Sequence, residues 1–453
     1  MTDLFSRPAP ADGSACPRMK LLVVAYEFPP SPSPQSLRWA YLASEIARRG
    51  HEIHVFAPDL HYGALDTPFD LDGVTVHRVH PGPVKGFISR LLAASRDGNA
   101  ADPCAPTEPV RGDPRTRLNW KGKAHAMLER AISSVVFPDH RGLWNLWSAP
   151  AFGKLLRELR PDAVIASHEP ANTLRFGLAA GANGSTWVAD LGDPVLAPYT
   201  PRQWRRRALA LEREVCVRSD AVVVTNERTR QTLIERHGVA PDKVWIVPQG
   251  APDRSPRGLA APVQSATLDL VYTGAFYPFR PAEPLLQAVA QSDGVRLRIA
   301  CARPPESAVQ FAERYPDRIA LCGHLAHGDS LALQAGADIL VNIGNLLPAQ
   351  VPGKLFEYLS SGRPILQLRA AEDDAGADLV ASLRRGWTCW NSADAIGPVL
   401  QELRARKTAG RLAEGLDLSD APIAPYRWSA LAMRYLEVIA GVRRSHINNG
   451  ERR

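Results

Sequence analysis

The chain has 453 residues, 45% hydrophobic and 22% charged, with a formal net charge of +7 and a pI near 9.2. That length exceeds one ordinary core and predicts two or three domains, while the positive balance favours an anionic partner such as a nucleotide, a nucleic acid or an acidic membrane surface. The six cysteines (Cys16, Cys104, Cys216, Cys301, Cys322 and Cys389) form no CxxC pair, which argues against a zinc ribbon or a disulfide framework and for a reducing compartment.

Residues 1–18 lack the apolar centre of a signal peptide and read as a disordered leader. From Met19, strand-like runs alternate with helical patterns: Lys20–Tyr26, Glu52–Ala57, Val74–Val79, Asp162–Ser167, Thr186–Asp190, Asp220–Thr225 and Lys243–Val247. The helix Ser36–Arg49, closed by Gly50, is one of those interleaved. This alternation predicts a parallel sheet covered on both faces, in an N-terminal domain over 19–250. An insertion over 81–138 interrupts it, with a polar middle (Asp97–Pro114) and then a basic helix candidate, Lys121–Val136. Residues 251–267 are rich in Pro, Ala, Gly and Ser and serve as the linker. A second series follows over 268–425: Leu268–Tyr272, Val295–Ala300, Ile319–Cys322, Asp338–Ile343 and Pro364–Leu368. A C-terminal helix at 426–443, amphipathic over Arg427–Val442, is expected to pack back on the N-terminal domain, ahead of a frayed tail at 444–453. No apolar run approaches the roughly 20 residues of a membrane span. The predicted fold class is α/β, with two Rossmann-like doubly wound parallel-sheet domains facing a central cleft.

The stretch from Asp338 to Leu368 carries the chemistry. It reads as strand, loop, a short helix Gly353–Ser361 and a second strand. A helix that starts after a parallel strand aims free N–H groups at the crevice where such sheets bind ligands. Lys354 stands in its first turn, where the helix dipole disfavours a cation and an anionic ligand would compensate. Glu357 follows on the same face, beside Ser361, while Leu355, Phe356 and Leu359 form the buried stripe. A cation for phosphate and a carboxylate for a sugar hydroxyl suit a nucleotide-sugar pocket. A local Lys354–Glu357 ion pair on a solvated helix is the alternative.

Val351-Pro352-Gly353-Lys354-Leu355-Phe356-Glu357-Tyr358, with Gly362-Arg363-Pro364-Ile365, resembles glycosyltransferase family 4, whose members are retaining enzymes of the GT-B fold. Four further segments resemble that family in order and spacing. They are the opening 20–56, the stretch from Leu211 to Gly250, residues 270–280, and Gly323–Val341. The resemblance implies that Glu357 bonds the nucleotide ribose, that Lys354 and Arg280 face the diphosphate, and that Gly274 opens the phosphate loop. It also implies that His168 and Glu169, in a His-Glu-Pro segment, contact the donor sugar. The chain departs from the family at Ala349, where a first Glu is usual, leaving Asn345 or Gln350 to replace it. Ala275 stands where an Arg is usual, Ser31-Pro32-Ser33-Pro34 replaces a Gly-Gly loop, and Gly192-Asp193-Pro194-Val195 replaces Arg-Asp-Pro-Trp.

The expected reaction moves a sugar from a nucleotide-sugar donor, UDP- or GDP-linked, to a glycan or lipid-linked acceptor, with retention and without metal or other cofactor. Arg280 and Lys354, with helix N–H groups, would neutralise the leaving diphosphate. The other reading of Arg280 is a loop cap or a pair with Glu283, and that of His168 is a solvated strand-end residue. Asp190, Asp193 and Arg38 are assigned to the acceptor side, a turn or helix cap being the other reading of the two aspartates. Lys121–Val136 and Arg202-Gln203-Trp204-Arg205-Arg206-Arg207 mix cations with apolar residues. They are candidates for the anionic inner face of a cytoplasmic membrane, or are an ordinary basic surface. No nucleic-acid module is visible. A nucleotide-sugar 2-epimerase and a non-catalytic GT-B subunit remain the competing readings.

Overall fold

The computed structural model describes residues 17–31, 33–60, 71–82, 133–253, 265–277, 280–345 and 351–450. The leader to residue 16, most of the 81–138 insertion, the basic helix candidate up to residue 132, linker residues 254–264, and Pro32, Ala349 and Gln350 lie outside them. The chain divides into two compact units, Met1–Pro248 with Leu431–Arg453, and Gln249–Ala430. Each is an α/β unit built on one parallel sheet.

The strands of unit 1 are β1 (Lys20–Val24), β2 (Glu52–Pro58), β3 (Val74–Val79), β4 (Ala163–Ser167), β5 (Trp187–Leu191), β6 (Ala221–Val224) and β7 (Val244–Ile246). They lie in the order β3-β2-β1-β4-β5-β6-β7. The first helix, α1 (Pro34–Arg48), begins two residues earlier than its apolar periodicity predicts. Ser33 caps it by accepting from the Ser36 N–H, and Pro34 fills the first turn, where a missing N–H costs nothing. Half of the Ser-Pro-Ser-Pro segment is therefore a helix start rather than a loop.

Helices α2 (Leu143–Leu159) and α3 (Leu174–Ala182) cover one face of this sheet. Trp144, Phe152 and Phe176 from those helices meet Phe56 and Tyr26, with centroid separations of 4.8–5.6 Å. Gly177 lets α3 lie on the Trp187 ring, since a Cβ there would stand 2.3 Å from it. Helices α4 (Arg205–Arg218) and α5 (Glu227–His237) complete the chain-ordered set before the second unit.

Unit 2 carries β8 (Leu268–Thr273), β9 (Val295–Ala300), β10 (Ile319–Gly323), β11 (Ile339–Ile343), β12 (Ile365–Arg369) and β13 (Gly386–Trp390). Their order is β10-β9-β8-β11-β12-β13. Interleaved are α6 (Glu283–Gln291), α7 (Glu306–Arg314), α8 (His327–Ala335), α9 (Gly353–Ser360), α10 (Ala375–Ser382) and α11 (Ala393–Thr408). Strand β13 escapes the sequence reading because its residues are half-buried or exposed at a sheet edge, without the apolar run that marks a central strand.

The last helix, α12 (Trp428–Gly450), outruns the periodicity that ends at Val442. Its residues from 431 belong to unit 1. Tyr435 meets Trp39 edge-on at 5.4 Å, Arg434 donates to the Ile246 carbonyl at 2.7 Å, and Arg443 pairs with Asp162 at 2.6 Å. Among the described residues no helix is long and apolar enough to cross a membrane.

Arg38 and Asp190 form an ion pair at 3.2 Å with side-chain exposures of 0% and 1%. Arg38 also donates to the carbonyls of Pro248 (2.7 Å) and Val247 (3.0 Å), and Trp39 donates to Asp190 at 3.1 Å. Removing one partner strands the other charge in the interior. The substitution Arg38→Ala is expected to lower the unfolding free energy by about 3–5 kcal/mol in urea titrations. A change under 1 kcal/mol would show that the pair does not carry this weight.

Candidate functional site

In unit 2 the winding of the sheet reverses between β8 and β11, which opens a crevice at their carboxyl ends. Gly274 follows β8 and has φ +131°, a conformation that side chains rarely adopt. A Cβ there would lie 3.0 Å from Lys354 Cδ and 3.1 Å from Cε. The bare backbone is what allows the lysine to lie across the loop. Asn345 follows β11, is 5% exposed, and accepts a hydrogen bond from Arg280 Nε. The Arg280 guanidinium stands 5.4 Å from the Tyr277 ring centroid. Burial lowers its pKa from the usual guanidinium value, which leaves it a cation at neutral pH. The structure thus brings Gly274 together with Lys354, and Arg280 together with Asn345, at one sheet edge.

Helix α9 starts at this edge with Pro352 at its N-cap and no side-chain cap. Helix α10, by contrast, is capped by Asp374, which accepts from the N–H groups of Gly376 and Ala377. Lys354 is exposed, Glu357 is half-buried, and Leu355, Phe356 and Leu359 are buried. No ion pair joins Lys354 to Glu357 among the described residues, and the ammonium is open to solvent. Tyr358, missed as a site residue in the sequence, anchors the helix. Its hydroxyl accepts from the Thr273 N–H at 2.8 Å, donates to the Thr273 carbonyl at 3.1 Å, and lies 3.1 Å from Thr273 Oγ1. Gln334 donates to the same Oγ1 at 3.2 Å. The end of β8 and the start of α9 are therefore held as one piece. A polar tyrosine within the buried stripe of α9 is the signal that would have found it.

In unit 1 the winding reverses between β1 and β4. His168, 5% exposed, follows β4; its backbone N–H donates to the Asp190 carbonyl at 2.7 Å. Its Nδ1 is buried without a hydrogen-bond partner. Burial pulls its pKa down to about 4 against the pull of Asp193, Glu212 and Asp190, so the ring is neutral at pH 7. Glu169 is exposed, with φ +77°. Asp193 accepts from the Tyr199 hydroxyl at 3.0 Å. Arg141 binds Asp139 through both Nε (3.0 Å) and Nη2 (2.7 Å) and approaches Glu27 at 3.6 Å. Glu27, Arg141 and Tyr199 were not anticipated, because each comes from a different segment of the chain and no local pattern links them. Asp190 is inside a strand rather than in a turn, and it and Arg38 face each other in the core.

Residues 109–254 match the family model described as Glycosyltransferase Family 4, a segment separate from the 351–365 motif. The whole chain superposes on solved structures. A glycosyltransferase from Rickettsia africae aligns with TM-score 0.62 and 12% identity, covering 94% of this chain and 99% of that one. HepE of Anabaena, solved with UDP-glucose, aligns with TM-score 0.59 and 12% identity over 94% and 100%. WaaG, a glycosyltransferase involved in lipopolysaccharide biosynthesis, aligns with TM-score 0.54 and 14% identity over 93% and 100%. No curated protein sequence matches the chain. Two parallel-sheet units with this likeness are the GT-B fold. With the match over residues 109–254, that fold makes the chain similar to glycosyltransferases of the GT-B type.

Tyr358→Phe removes the acceptor of the buried Thr273 N–H and is expected to lower the unfolding free energy by about 1–3 kcal/mol. Urea titration measures this, and an unchanged midpoint would discount the anchor. For His168 the folded pKa lies below the ordinary 6.5. Below pH 6.5 the unfolded chain binds a proton that the folded chain refuses. Stability is full above that pH and is lost as the pH falls toward 4. His51 and His77, also lowered chiefly by burial, act in the same direction. The discriminating measurement is therefore the pH slope of unfolding in wild type and His168→Asn. The variant should be shallower by up to about 1.4 kcal/mol per pH unit; parallel curves would mean that His168 is not a buried neutral ring.

Proposed function

We propose that the protein transfers a sugar from a nucleotide diphosphate sugar to a glycan or lipid-linked acceptor, with retention of anomeric configuration. The observation that carries this reading is Lys354 lying across Gly274 at the uncapped start of α9, with Arg280 and Asn345 at the same edge. Two cations and a helix N-terminus suit a diphosphate, and Glu357 suits the ribose. UDP- or GDP-linked donors both fit this chemistry.

The same cations would stabilise the departing diphosphate by preorganised charge, so no metal or other cofactor is required. The departing phosphate takes the acceptor proton as the new bond forms on the face it leaves, and the configuration is kept. His168, neutral, orients a sugar hydroxyl, with Glu169 and Asp193 as acceptors of hydroxyl protons. Cell-envelope or exopolysaccharide assembly on the inner face of the cytoplasmic membrane is the setting. The exposed Arg205, Arg206 and Arg207 beside Trp204 supply the attraction to an anionic surface.

Thermal unfolding with UDP, GDP, ADP and their sugar conjugates tests the donor site. One nucleotide at 100 times its Kd should add about 2.7 kcal/mol, and Lys354→Ala and Glu357→Ala should each reduce the shift. If no nucleotide stabilises the protein, the transferase reading falls and a non-catalytic subunit replaces it. With the donor known, proton NMR of the product reads the anomer, and turnover should persist in EDTA. An inverted product or a turnover abolished by EDTA would overturn retention or metal independence, respectively.

A further inference from the structure

The loop after β5, the start of α4 and the end of α5 line an open pocket of about 430 Å³ within unit 1. That volume falls within the roughly 300–1,000 Å³ of small-molecule sites. Leu196, Ala197, Pro198 and Leu209 supply apolar walls, and Arg205, Arg206 and Arg236 supply the only charges on its lining. Leu209 is 39% exposed where it meets the cavity.

The walls are held in place by a buried carboxylate. Glu212, with 0% exposure, accepts from the Leu196 N–H at 2.9 Å, from Arg236 at 2.6 Å, and lies 2.7 Å from His237 Nε2. Arg236 returns a bond to the Leu196 carbonyl at 3.0 Å. Glu212 therefore consumes one of the three positive charges and leaves the other two. Arg205 reaches only the Pro198 carbonyl, at 3.5 Å, and Arg206 makes no ion pair among the described residues. Both stand in the first turn of α4, which has no acidic residue and no side-chain cap. A helix dipole disfavours cations there, so the local field asks for an anion.

We infer that this cavity seats the phosphate of a lipid-linked substrate, with Arg205 and Arg206 on the phosphate and the apolar chain against Leu196, Pro198 and Leu209. Charge complementarity selects the anion, and the carbon walls of Leu196, Ala197, Pro198 and Leu209 select an amphiphile over free phosphate. This inference rests on the reading of the chain as a transferase with a lipid-linked acceptor, and it names the part of unit 1 that holds that acceptor's anchor.

The test is calorimetric titration of the full chain with decyl phosphate below its micelle threshold, with decanol and inorganic phosphate as controls. Decyl phosphate should bind saturably, at one per chain and at least tenfold more tightly than either control. The double substitution Arg205→Ala/Arg206→Ala should weaken it at least tenfold, and Leu209→Ser severalfold. All three side chains are exposed, so unfolding midpoints should stay within a degree or two of wild type. Equal binding by wild type and the double variant would overturn the inference. So would inorganic phosphate binding as tightly as the amphiphile, or attachment to anionic vesicles with no binding of the monomer. The nucleotide shift, read on the same variants, belongs to unit 2. Its presence with no decyl phosphate binding removes the lipid seat alone, while its absence removes the transferase reading whatever the amphiphile does.

Discussion

A guanidinium with no exposure and a carboxylate with 1% cannot be left unpaired in a protein interior. In the first unit Arg38 and Asp190 meet and satisfy each other's charge. Arg38 comes from α1 and Asp190 from β5, and two carbonyls that accept from the guanidinium Nη atoms lie just beyond β7. Trp39, next to Arg38, bonds the same carboxylate and packs on Tyr435 of the final helix. One charge pair therefore ties together segments separated by more than 150 positions in the chain. The exposed Glu169 and half-buried Asp193 follow β4 and β5, and the pair fixes the end of β5.

The second unit solves the same problem without a charge. Its donor-site geometry depends on a tyrosine hydroxyl that both accepts from and donates to the backbone of Thr273. A buried N–H that loses its partner costs more than the bond itself is worth, so such an anchor is strongly directional. It places the start of α9 against the loop at Gly274. A cation in the first turn of a helix is then held where a diphosphate would meet both the ammonium and the uncapped N–H groups. In both units the candidate residues gather where the winding of the sheet reverses, the place at which the connecting helices diverge and leave strand ends open.

Much of this was legible in the chain. Central parallel strands announce themselves as short apolar runs, and the predicted limits of Val295–Ala300 are those observed. Edge strand β13 was not legible, because a half-exposed strand lacks that run. The placement of Lys354 and Glu357 on one short helix followed from spacing alone. Arg141, Glu27 and Tyr199 had no such signature, since residues brought in from three separate segments leave no periodic trace. Asp190 shows the limit from the other side. Its position at a strand end read as an acceptor-side carboxylate, and only the packing of α1 reveals that it is spent on Arg38.

The sequence by itself determined the two α/β units, their strand order of appearance and the helix that carries Lys354. These depend on local periodicity and caps, which are properties of neighbouring residues. The tertiary structure decided which polar groups are sealed in the core, which loops converge, and where Arg205, Arg206 and Arg236 share one apolar-walled cavity. Those outcomes depend on contacts between distant segments, and burial sets the energy of a charge only once the chain has closed around it.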